Sequence, residues 1–205
     1  GLLSPDVARR PAGSLDSPSV TMMKPLSECR LYGFVDTSCL RGRAPELLAQ
    51  QLCDGGADLV QLRAKGASLS EVRRMAEAIR AVTARAGVGL VINDHLSIAQ
   101  EVGAEFCHLG QEDFFQAGYT QVSAIRNPQS AIRNVTIRIG LSSHSPEQAQ
   151  RALAAGADYL GVGPVYATTT KPDAQPATLE YVRWAAAHVP VPWFAIGGIN
   201  LENLK

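Results

Sequence analysis

The sequence predicts an α/β fold, a (β/α)8 or TIM barrel that is truncated after its seventh strand. From Arg30 onward, short apolar runs alternate with longer segments rich in Ala, Glu and Arg at helical spacing. The apolar runs have the length and composition of strands that are buried on both faces, as in a parallel sheet. Strand and helix alternate about every 25 residues, which is typical of βα units. Seven such units fit the chain, whereas a complete barrel has eight.

The predicted strands are the seven runs rich in Val, Ile, Leu and Phe. They are Leu31–Val35, Leu59–Leu62, Gly89–Ile92, Phe106–Leu109, Thr136–Leu141, Tyr159–Val162 and Trp193–Ile196. An open, doubly wound sheet is the alternative arrangement of such units. No Gly-x-Gly-x-x-Gly turn follows the first run, so the sequence favours the barrel.

Capping signals mark two of the predicted helices. Ser70 is the expected N-cap of the helix that contains Val72 and Ile79. Ser145 precedes Pro146, and proline is common at the first position of a helix. Gly156 is the expected C-cap of that second helix.

The chain is predicted to form one domain with an arm. Residues 28–205 form the catalytic barrel, which lacks its C-terminal βα unit, and residues 1–27 form a disordered extension. The first 21 residues carry arginines, prolines and serines without a continuous apolar core, so they do not resemble a secretory signal.

Composition excludes several classes of partner. Nineteen basic and nineteen acidic residues give a net charge of zero, which predicts binding to neither nucleic acid nor an anionic membrane. No apolar run approaches the roughly 18 residues of a membrane span. The four cysteines form no Cys-x-x-Cys pair, which indicates reduced packing residues in a cytoplasmic protein. Small molecules are the expected partners, and a homodimer is possible.

Polar residues follow six of the seven predicted strands, where a βα barrel gathers them at its C-terminal mouth. They include Arg63, Lys65, Asn93, Asp94, Asp113, Ser142, Thr168, Thr170 and Lys171, and the glycines Gly197 and Gly198 follow the last strand. Taken singly, most of these residues would be read as helix caps, turns or solvated charges. Their recurrence at successive strand ends favours a binding site.

The chemistry of this set points to a diphosphate. Arg63, Lys65 and Lys171 supply cationic donors to phosphate oxygens, and Ser142, Thr168 and Thr170 add hydroxyl groups. The backbone amides of Gly197 and Gly198 could approach a second phosphate. Asp94 and Asp113 follow adjacent strands, and two carboxylates together with phosphate oxygens and water suit Mg²⁺. The sequence therefore predicts a magnesium-assisted diphosphate site.

The sequence resembles the thiamine phosphate synthase family, within the superfamily that also holds a thiazole tautomerase. The resemblance runs from Arg30 to Lys205 through short motifs in the same order. They are Gln61-Leu62-Arg63-Ala64-Lys65, Ile92-Asn93-Asp94, His108-Leu109-Gly110-Gln111-Glu112-Asp113, Gly140-Leu141-Ser142-Ser143-His144, Asp158-Tyr159, Gly161-Val162-Gly163-Pro164, Thr168-Thr169-Thr170-Lys171 and Ala195-Ile196-Gly197-Gly198-Ile199.

The resemblance implies a TIM-barrel transferase that joins a hydroxymethylpyrimidine diphosphate to a hydroxyethylthiazole phosphate, with Mg²⁺ as cofactor. It implies roles for three groups of residues. The pyrimidine diphosphate would be held by Gln61, Arg63, Lys65, Asn93, Ser142 and Lys171, of which Arg63, Lys65, Ser142 and Lys171 would act in catalysis. Mg²⁺ would be bound by Asp94 and Asp113. The thiazole phosphate would lie along Thr168, Thr170 and Gly198.

Two other functions stay open at this point. A chain without its last βα unit could be a barrel that binds a phosphorylated ligand and does not turn it over. A different phosphate-binding barrel, such as an isomerase like the tautomerase, would use His144 as its acid–base group. In the synthase, His144 would instead support neighbouring residues by packing.

Overall fold

The computed structural model describes residues 22–126, 136–167 and 178–204. The strands are β1 (Tyr32–Asp36), β2 (Leu59–Arg63), β3 (Gly89–Asn93), β4 (Phe106–Leu109), β5 (Arg138–Ser143), β6 (Tyr159–Val162) and β7 (Trp193–Ala195). The helices are α1 (Pro45–Asp54), α2 (Leu69–Ala86), α3 (Leu96–Val102), α4 (Gln111–Gln116), α5 (Pro146–Ala154) and α6 (Leu179–His188). Short 3-10 helices occupy Leu26–Glu28, Thr37–Cys39 and Val122–Ala124.

The seven strands form a single parallel sheet in the order of the sequence. Each strand pairs with the next one along the chain, from Tyr32 opposite Leu59 to Val162 opposite Ala195. This order is the one that successive βα units produce when they close into a barrel. The predicted α/β class and the barrel of seven strands are confirmed.

The largest difference between the predicted and the observed strands is at β5. The sequence predicts Thr136–Leu141, whereas the strand is Arg138–Ser143. The ladder continues past the apolar run because Ser142 pairs with Gly161 and Ser143 pairs with Val162. The buried Ser143 hydroxyl also hydrogen-bonds the Tyr181 hydroxyl on α6. A polar residue can therefore extend a buried strand when a partner satisfies its hydroxyl group.

The starts of α5 and α2 show whether the predicted N-cap residues are correct. Ser145 is the N-cap of α5, since its Oγ accepts a hydrogen bond from the Gln148 amide, and Pro146 is the first helical residue. The prediction of Ser70 as the cap of α2 is wrong. Ser68 is the cap, and it forms a reciprocal capping box with Glu71, three residues later.

The end of α5 also differs from its prediction. Ala155 is its C-cap rather than Gly156. Gly156 comes next, with a φ of 80°. Glycine adopts this left-handed conformation at little cost, so Gly156 occupies the position after the cap, and the helix ends one residue earlier than expected.

Each face of the sheet has its own apolar core. The larger core lies between the strands and the helices and includes Val60, Ile79, Ile92, Leu141 and Leu160. The smaller core lies on the other face and consists of Leu26, Cys29, Leu59, Val91, Phe106, Tyr159 and Phe194. Leu26, which is 7% exposed, precedes the predicted start of the domain at residue 28 and nevertheless belongs to this smaller core.

A repeated Gly-Ala-acid tripeptide precedes every second strand. It occurs as Gly56-Ala57-Asp58 before β2, Gly103-Ala104-Glu105 before β4 and Gly156-Ala157-Asp158 before β6. Each acidic side chain accepts a hydrogen bond from a backbone amide at the start of the preceding strand: Leu31 to Asp58 at 3.0 Å, Leu90 to Glu105 at 3.0 Å and Ile139 to Asp158 at 2.6 Å. We call these three contacts the acid clamps. They join neighbouring strands at the amino-terminal end of the barrel.

Among the described residues, no helix is both long and apolar enough to cross a membrane. The four cysteines are free, with Cys29 and Cys107 buried and Cys39 exposed. The burial of Cys29 and Cys107 agrees with the predicted packing role, whereas the exposed Cys39 does not have it.

Candidate active site

Arg63 ends β2 at the carboxyl end of the barrel, where Asp36 of β1 holds it. Arg63 Nη1 lies 2.5 Å from Asp36 Oδ2. The other carboxylate oxygen of Asp36 accepts hydrogen bonds from the Ser38 amide at 2.9 Å and the Ser38 hydroxyl at 2.6 Å. Burial alone would raise the pKa of Asp36, but the hydrogen bonds from Ser38 and Arg63 outweigh it and lower that pKa. Asp36 is therefore an anion that orients the guanidinium group.

Sequence reasoning missed Asp36, although a signal for it exists. Asp36 directly follows the first apolar run, as Arg63 and Asn93 follow the second and third. Applying the same rule to the first strand would have found it.

A cleft of about 230 Å³ opens beside this pair, between the β2–α2 and β3–α3 connections. Its lining residues are Ala64, Lys65, Gly66, Ala67, Asn93, Asp94 and His95. The structure thus brings Lys65, Asn93 and Asp94 together, as the sequence predicts. An ammonium group, an amide and a carboxylate in one cleft can bind an anion and a divalent cation side by side.

Asp94 and Asp113 are the predicted metal ligands. Asp94 has a φ of 64°, and its backbone amide donates to the His108 carbonyl at 2.9 Å, which ties the end of β3 to β4. Asp113 lies in the first turn of α4, where a Cβ on Gly110 would come within 2.7 Å of its Oδ2. Because Gly110 has no side chain, it leaves the space that the Asp113 carboxylate occupies.

Asp94 lines the cleft, whereas Asp113 is not among its lining residues. Mg²⁺ is usually bound through one or two protein carboxylates together with phosphate oxygens and water, which is the kind of ligand that these two side chains offer. Within the described residues, no group of three or more His, Cys, Asp and Glu side chains could hold a metal by itself. The substrate would have to complete such a site.

Gln61 lies two residues before Arg63 on the same face of β2 and is buried, with 2% of its surface exposed. Its Nε2 donates a hydrogen bond to the Tyr32 hydroxyl at 2.6 Å. The Tyr32 hydroxyl oxygen in turn lies 3.3 Å from that of Tyr159. Sequence reasoning placed Gln61 in the site only through the family resemblance, and it missed both tyrosines.

Ser142 is nearly buried at the end of β5, and its Oγ accepts a hydrogen bond from the Gln111 amide at 3.3 Å. This contact connects β5 to the start of α4, the helix that carries Asp113. Ser142 thus lies at the carboxyl end of the barrel, where the sequence predicts it.

Gly198 follows β7 and packs against the connection that leaves β6. A Cβ at Gly198 would lie 2.6 Å from the Ala167 carbonyl oxygen, so only glycine fits at this position. Its φ of 68° also favours glycine. Thr168, Thr170 and Lys171, which follow Ala167 in the sequence, lie outside the described residues.

His144 follows β5 and uses Nδ1 in a hydrogen bond with the Gly163 carbonyl oxygen. Its backbone amide donates to Gln148 Oε1 at 2.8 Å. These bonds connect the ends of β5 and β6, which is a supporting role. The acid–base role that an isomerase would require is not favoured.

Comparison with known proteins places the chain among the thiamine phosphate synthases. The family model described as "Thiamine monophosphate synthase" matches residues 31–205. The chain is 36% identical over 179 residues to the thiamine-phosphate synthase of Lawsonia intracellularis, covering 85% of this chain and 76% of the relative. It is 40% identical over 175 residues to that of Chloroflexus aurantiacus, with coverage of 85% and 76%.

Solved structures agree with this relationship. The thiamine phosphate pyrophosphorylase from Pyrococcus furiosus superposes with a TM-score of 0.69 at 29% identity, covering 87% of this chain and 79% of the other. The 3-dehydroquinate dehydratase from Geobacillus kaustophilus has a TM-score of 0.55 at 12% identity, which shows a shared fold alone. With the sequence matches, the first of these superpositions shows that this chain belongs to the thiamine monophosphate synthase family.

Proposed function

We propose that this chain joins hydroxymethylpyrimidine diphosphate to hydroxyethylthiazole phosphate, giving thiamine phosphate and free diphosphate. The observation that carries this function is the cleft at the carboxyl end of the barrel, which is lined by Lys65, Asn93 and Asp94. Arg63, which is paired with Asp36, lies two positions before Lys65 in the sequence. Cations and carboxylates in one cleft suit a diphosphate and its metal ion.

The reaction needs one bond to break and one to form. The bond between the pyrimidine methylene carbon and the diphosphate oxygen breaks, and its electron pair leaves with the diphosphate. The pyrimidine ring delocalises the resulting cation, and the lone pair of the thiazole nitrogen then forms the new carbon–nitrogen bond. No oxidant takes part, and a general base is hardly required. The protein therefore acts mainly through charge and orientation.

In this function, the pyrimidine diphosphate is held by residues on several strand ends. They are Gln61, Arg63, Lys65, Asn93 and Ser142, together with Lys171. Arg63, Lys65, Ser142 and Lys171 stabilise the negative charge that grows on the leaving group. Removal of one well-placed donor from such a site typically lowers the rate by about 10² to 10³-fold.

The thiazole phosphate would lie along Thr168, Thr170 and Gly198. The tight packing of Gly198 against Ala167 supports this assignment, since it keeps the backbone after β7 close to the connection that leads to Thr168. Backbone amides in such a position can donate to phosphate oxygens.

Asp94 and Asp113 would hold Mg²⁺ against the diphosphate. The ion would neutralise charge on the phosphate oxygens as the leaving group departs. The two aspartates come from adjacent strand ends, and the bare Gly110 beside Asp113 leaves room for that carboxylate. We further propose that the protein acts in the cytoplasm; a homodimer stays a prediction.

Replacement of Asp113 tests this function. Asp113→Ala is expected to lower the rate of diphosphate release, with both substrates and Mg²⁺ present, by at least about 10²-fold because one of two metal ligands is lost. Glu112→Ala is the matched control, since Glu112 is the neighbouring acidic residue on α4 and is exposed. Coupling at the wild-type rate in Asp113→Ala would overturn the assignment.

A further inference from the structure

Gln111, the first residue of α4, has a buried side-chain amide with no hydrogen-bond partner among the described residues. Only 3% of its surface is exposed, and both Nε2 and Oε1 are unpaired. Buried polar atoms in native proteins nearly always have a partner, because each one has lost its contact with bulk water. An amide that is unpaired at both ends is therefore a place where a ligand or an ordered water belongs.

The backbone of Gln111 is fixed at the carboxyl end of the barrel. The ladder between β4 and β5 ends with Leu109 opposite Leu141, two positions before Gln111. The Gln111 backbone amide then donates to Ser142 Oγ at 3.3 Å. Gln111 thus lies in the turn that joins β4 to α4 and is attached there to the end of β5.

The contact with Ser142 also decides how that hydroxyl can be used. Its oxygen accepts the hydrogen bond from the Gln111 backbone amide. A hydroxyl group that accepts one bond still has its own proton to donate. The contact therefore leaves the Ser142 hydroxyl able to donate to an anion, beside a second possible donor, Nε2 of Gln111.

The carboxylate of Asp113 lies against the same turn. A Cβ on Gly110 would come within 2.7 Å of Asp113 Oδ2, so this carboxylate folds back over the residue that precedes Gln111. Asp113 is one of the two predicted ligands of the metal ion. The turn between β4 and α4 therefore combines a metal-binding carboxylate with an unpaired amide.

The two ends of an amide need different partners. Nε2 donates hydrogen bonds, whereas Oε1 accepts them. The oxygens of a diphosphate accept hydrogen bonds only. Mg²⁺ bound to protein usually keeps several of its water molecules, and these waters donate. A diphosphate together with its hydrated cation therefore supplies a partner for each end of the Gln111 amide, which neither an apolar ring nor a metal-free phosphate would do.

We propose that Gln111 is a further binding residue for the diphosphate, with Nε2 donating to a phosphate oxygen and Oε1 accepting from a water molecule that hydrates the cation. This inference rests on the proposed function, which supplies the diphosphate and Mg²⁺. In the free protein the unpaired amide lowers the stability of the fold, and ligand binding restores its hydrogen bonds.

Replacement of Gln111 by methionine tests both parts of this inference. Gln111→Met removes the two polar atoms at similar volume. The Kd of inorganic diphosphate, measured by calorimetry with Mg²⁺, should rise by about 10- to 100-fold, the effect of losing hydrogen bonds to a charged ligand. The Tm without ligand should be unchanged or higher, because no buried amide is left unpaired. Gln116→Met, at the exposed end of the same helix, is the matched control and should change neither quantity.

A second variant separates binding from packing. Gln111→Glu keeps the shape and one acceptor but replaces the donor with a carboxylate oxygen, so it should weaken diphosphate binding at least as much as Gln111→Met. Wild-type affinity in either variant would overturn the inference. A lower Tm together with weaker binding in Gln111→Met would show a merely structural role and would also overturn it. Wild type that does not bind diphosphate would overturn the proposed function itself.

Discussion

At the scale of single residues, Arg63 shows how a cation is held ready at the mouth of the barrel. Its partner Asp36 is itself anchored by Ser38, and the side chains of Arg63 and Asp36 are 13% and 10% exposed. A buried charge that loses its partner becomes unfavourable and moves. The position of Arg63 therefore depends on a residue that need not touch substrate.

Asp36→Asn tests this dependence. The substitution keeps the shape of the side chain and removes its charge, so the guanidinium group loses a charge-assisted hydrogen bond worth about 1.5–3 kcal/mol. We expect kcat/KM for the pyrimidine diphosphate to fall by about 10- to 100-fold. Glu46→Gln, on the exposed side of α1, is the control. Unchanged kinetics in Asp36→Asn would mean that Arg63 is held without Asp36.

The sequence predicts some site positions and not others for a physical reason. Arg63, Asn93 and Ser142 are recognisable because each ends or follows an apolar run, and such positions gather at one end of a parallel barrel. Tyr32 and Tyr159 stand inside apolar runs, where a tyrosine looks like any large core residue. Their hydroxyl pairing exists only after the fold brings β1 and β6 to face each other.

At the scale of elements, the acid clamps explain how neighbouring strands are held in register. In each clamp a carboxylate before an even-numbered strand accepts from the backbone of the odd-numbered strand before it. Each clamp also pairs with a cation, namely Lys24 for Asp58, Arg80 for Glu105 and Arg126 for Asp158. The carboxylates thus satisfy backbone amides that lie where the strands begin.

Asp58 gives the acid clamps a predicted pH dependence. Burial alone would raise the pKa of Asp58, but hydrogen bonds from Lys24 and from the Arg30 and Leu31 amides outweigh it and lower that pKa. A carboxyl group whose pKa is lower in the folded state stabilises the fold above its unfolded pKa of about 3.9. This stabilisation is lost as the pH falls through the lower, folded value.

Asp58→Asn should therefore destabilise the protein at neutral pH and matter less in acid. We expect the free energy of unfolding in urea to fall by about 1–3 kcal/mol at pH 7, with the difference from wild type shrinking below about pH 4. Asp54→Asn, at the exposed end of α1, serves as the control. A constant difference between pH 7 and pH 3 would contradict the role of the ionised carboxylate.

The boundaries of elements were harder to predict than their existence. The apolar run before Ser142 ends at Leu141, yet β5 continues because β6 offers pairing partners and Tyr181 bonds the buried Ser143 hydroxyl. Likewise, α2 begins after Ser68 because Glu71 completes a capping box there. Both outcomes depend on partners that hydrophobic periodicity does not reveal.

At the scale of the whole molecule, the two ends of the barrel have different roles. The acid clamps lie at the amino-terminal ends of the strands, while Arg63, Asn93, Asp94 and Ser142 lie at the carboxyl ends. This division is general in barrels of this kind, where one end supplies stability and the other carries the chemistry. Substitutions at the clamps should therefore change stability with little direct effect on the site.

Most of the architecture was predictable because seven buried strands, with a helical segment between each strand and the next, leave few arrangements open. The order of the sheet, its parallel pairing and the position of the site follow from that alternation. The inner aromatic cluster did not follow from it. Tyr159 and Gly140 fit each other across neighbouring strands, and such a fit depends on the exact register of the two strands.

We propose that the cleft at the carboxyl end of the barrel couples two phosphorylated rings with loss of diphosphate. Its most direct test is to measure diphosphate and thiamine phosphate together, with purified protein, Mg²⁺ and either one or both substrates. We expect equal amounts of diphosphate and thiamine phosphate when both substrates are present, and no thiamine phosphate when either substrate is omitted. Tight binding of the pyrimidine diphosphate without formation of thiamine phosphate at saturating thiazole phosphate would contradict it.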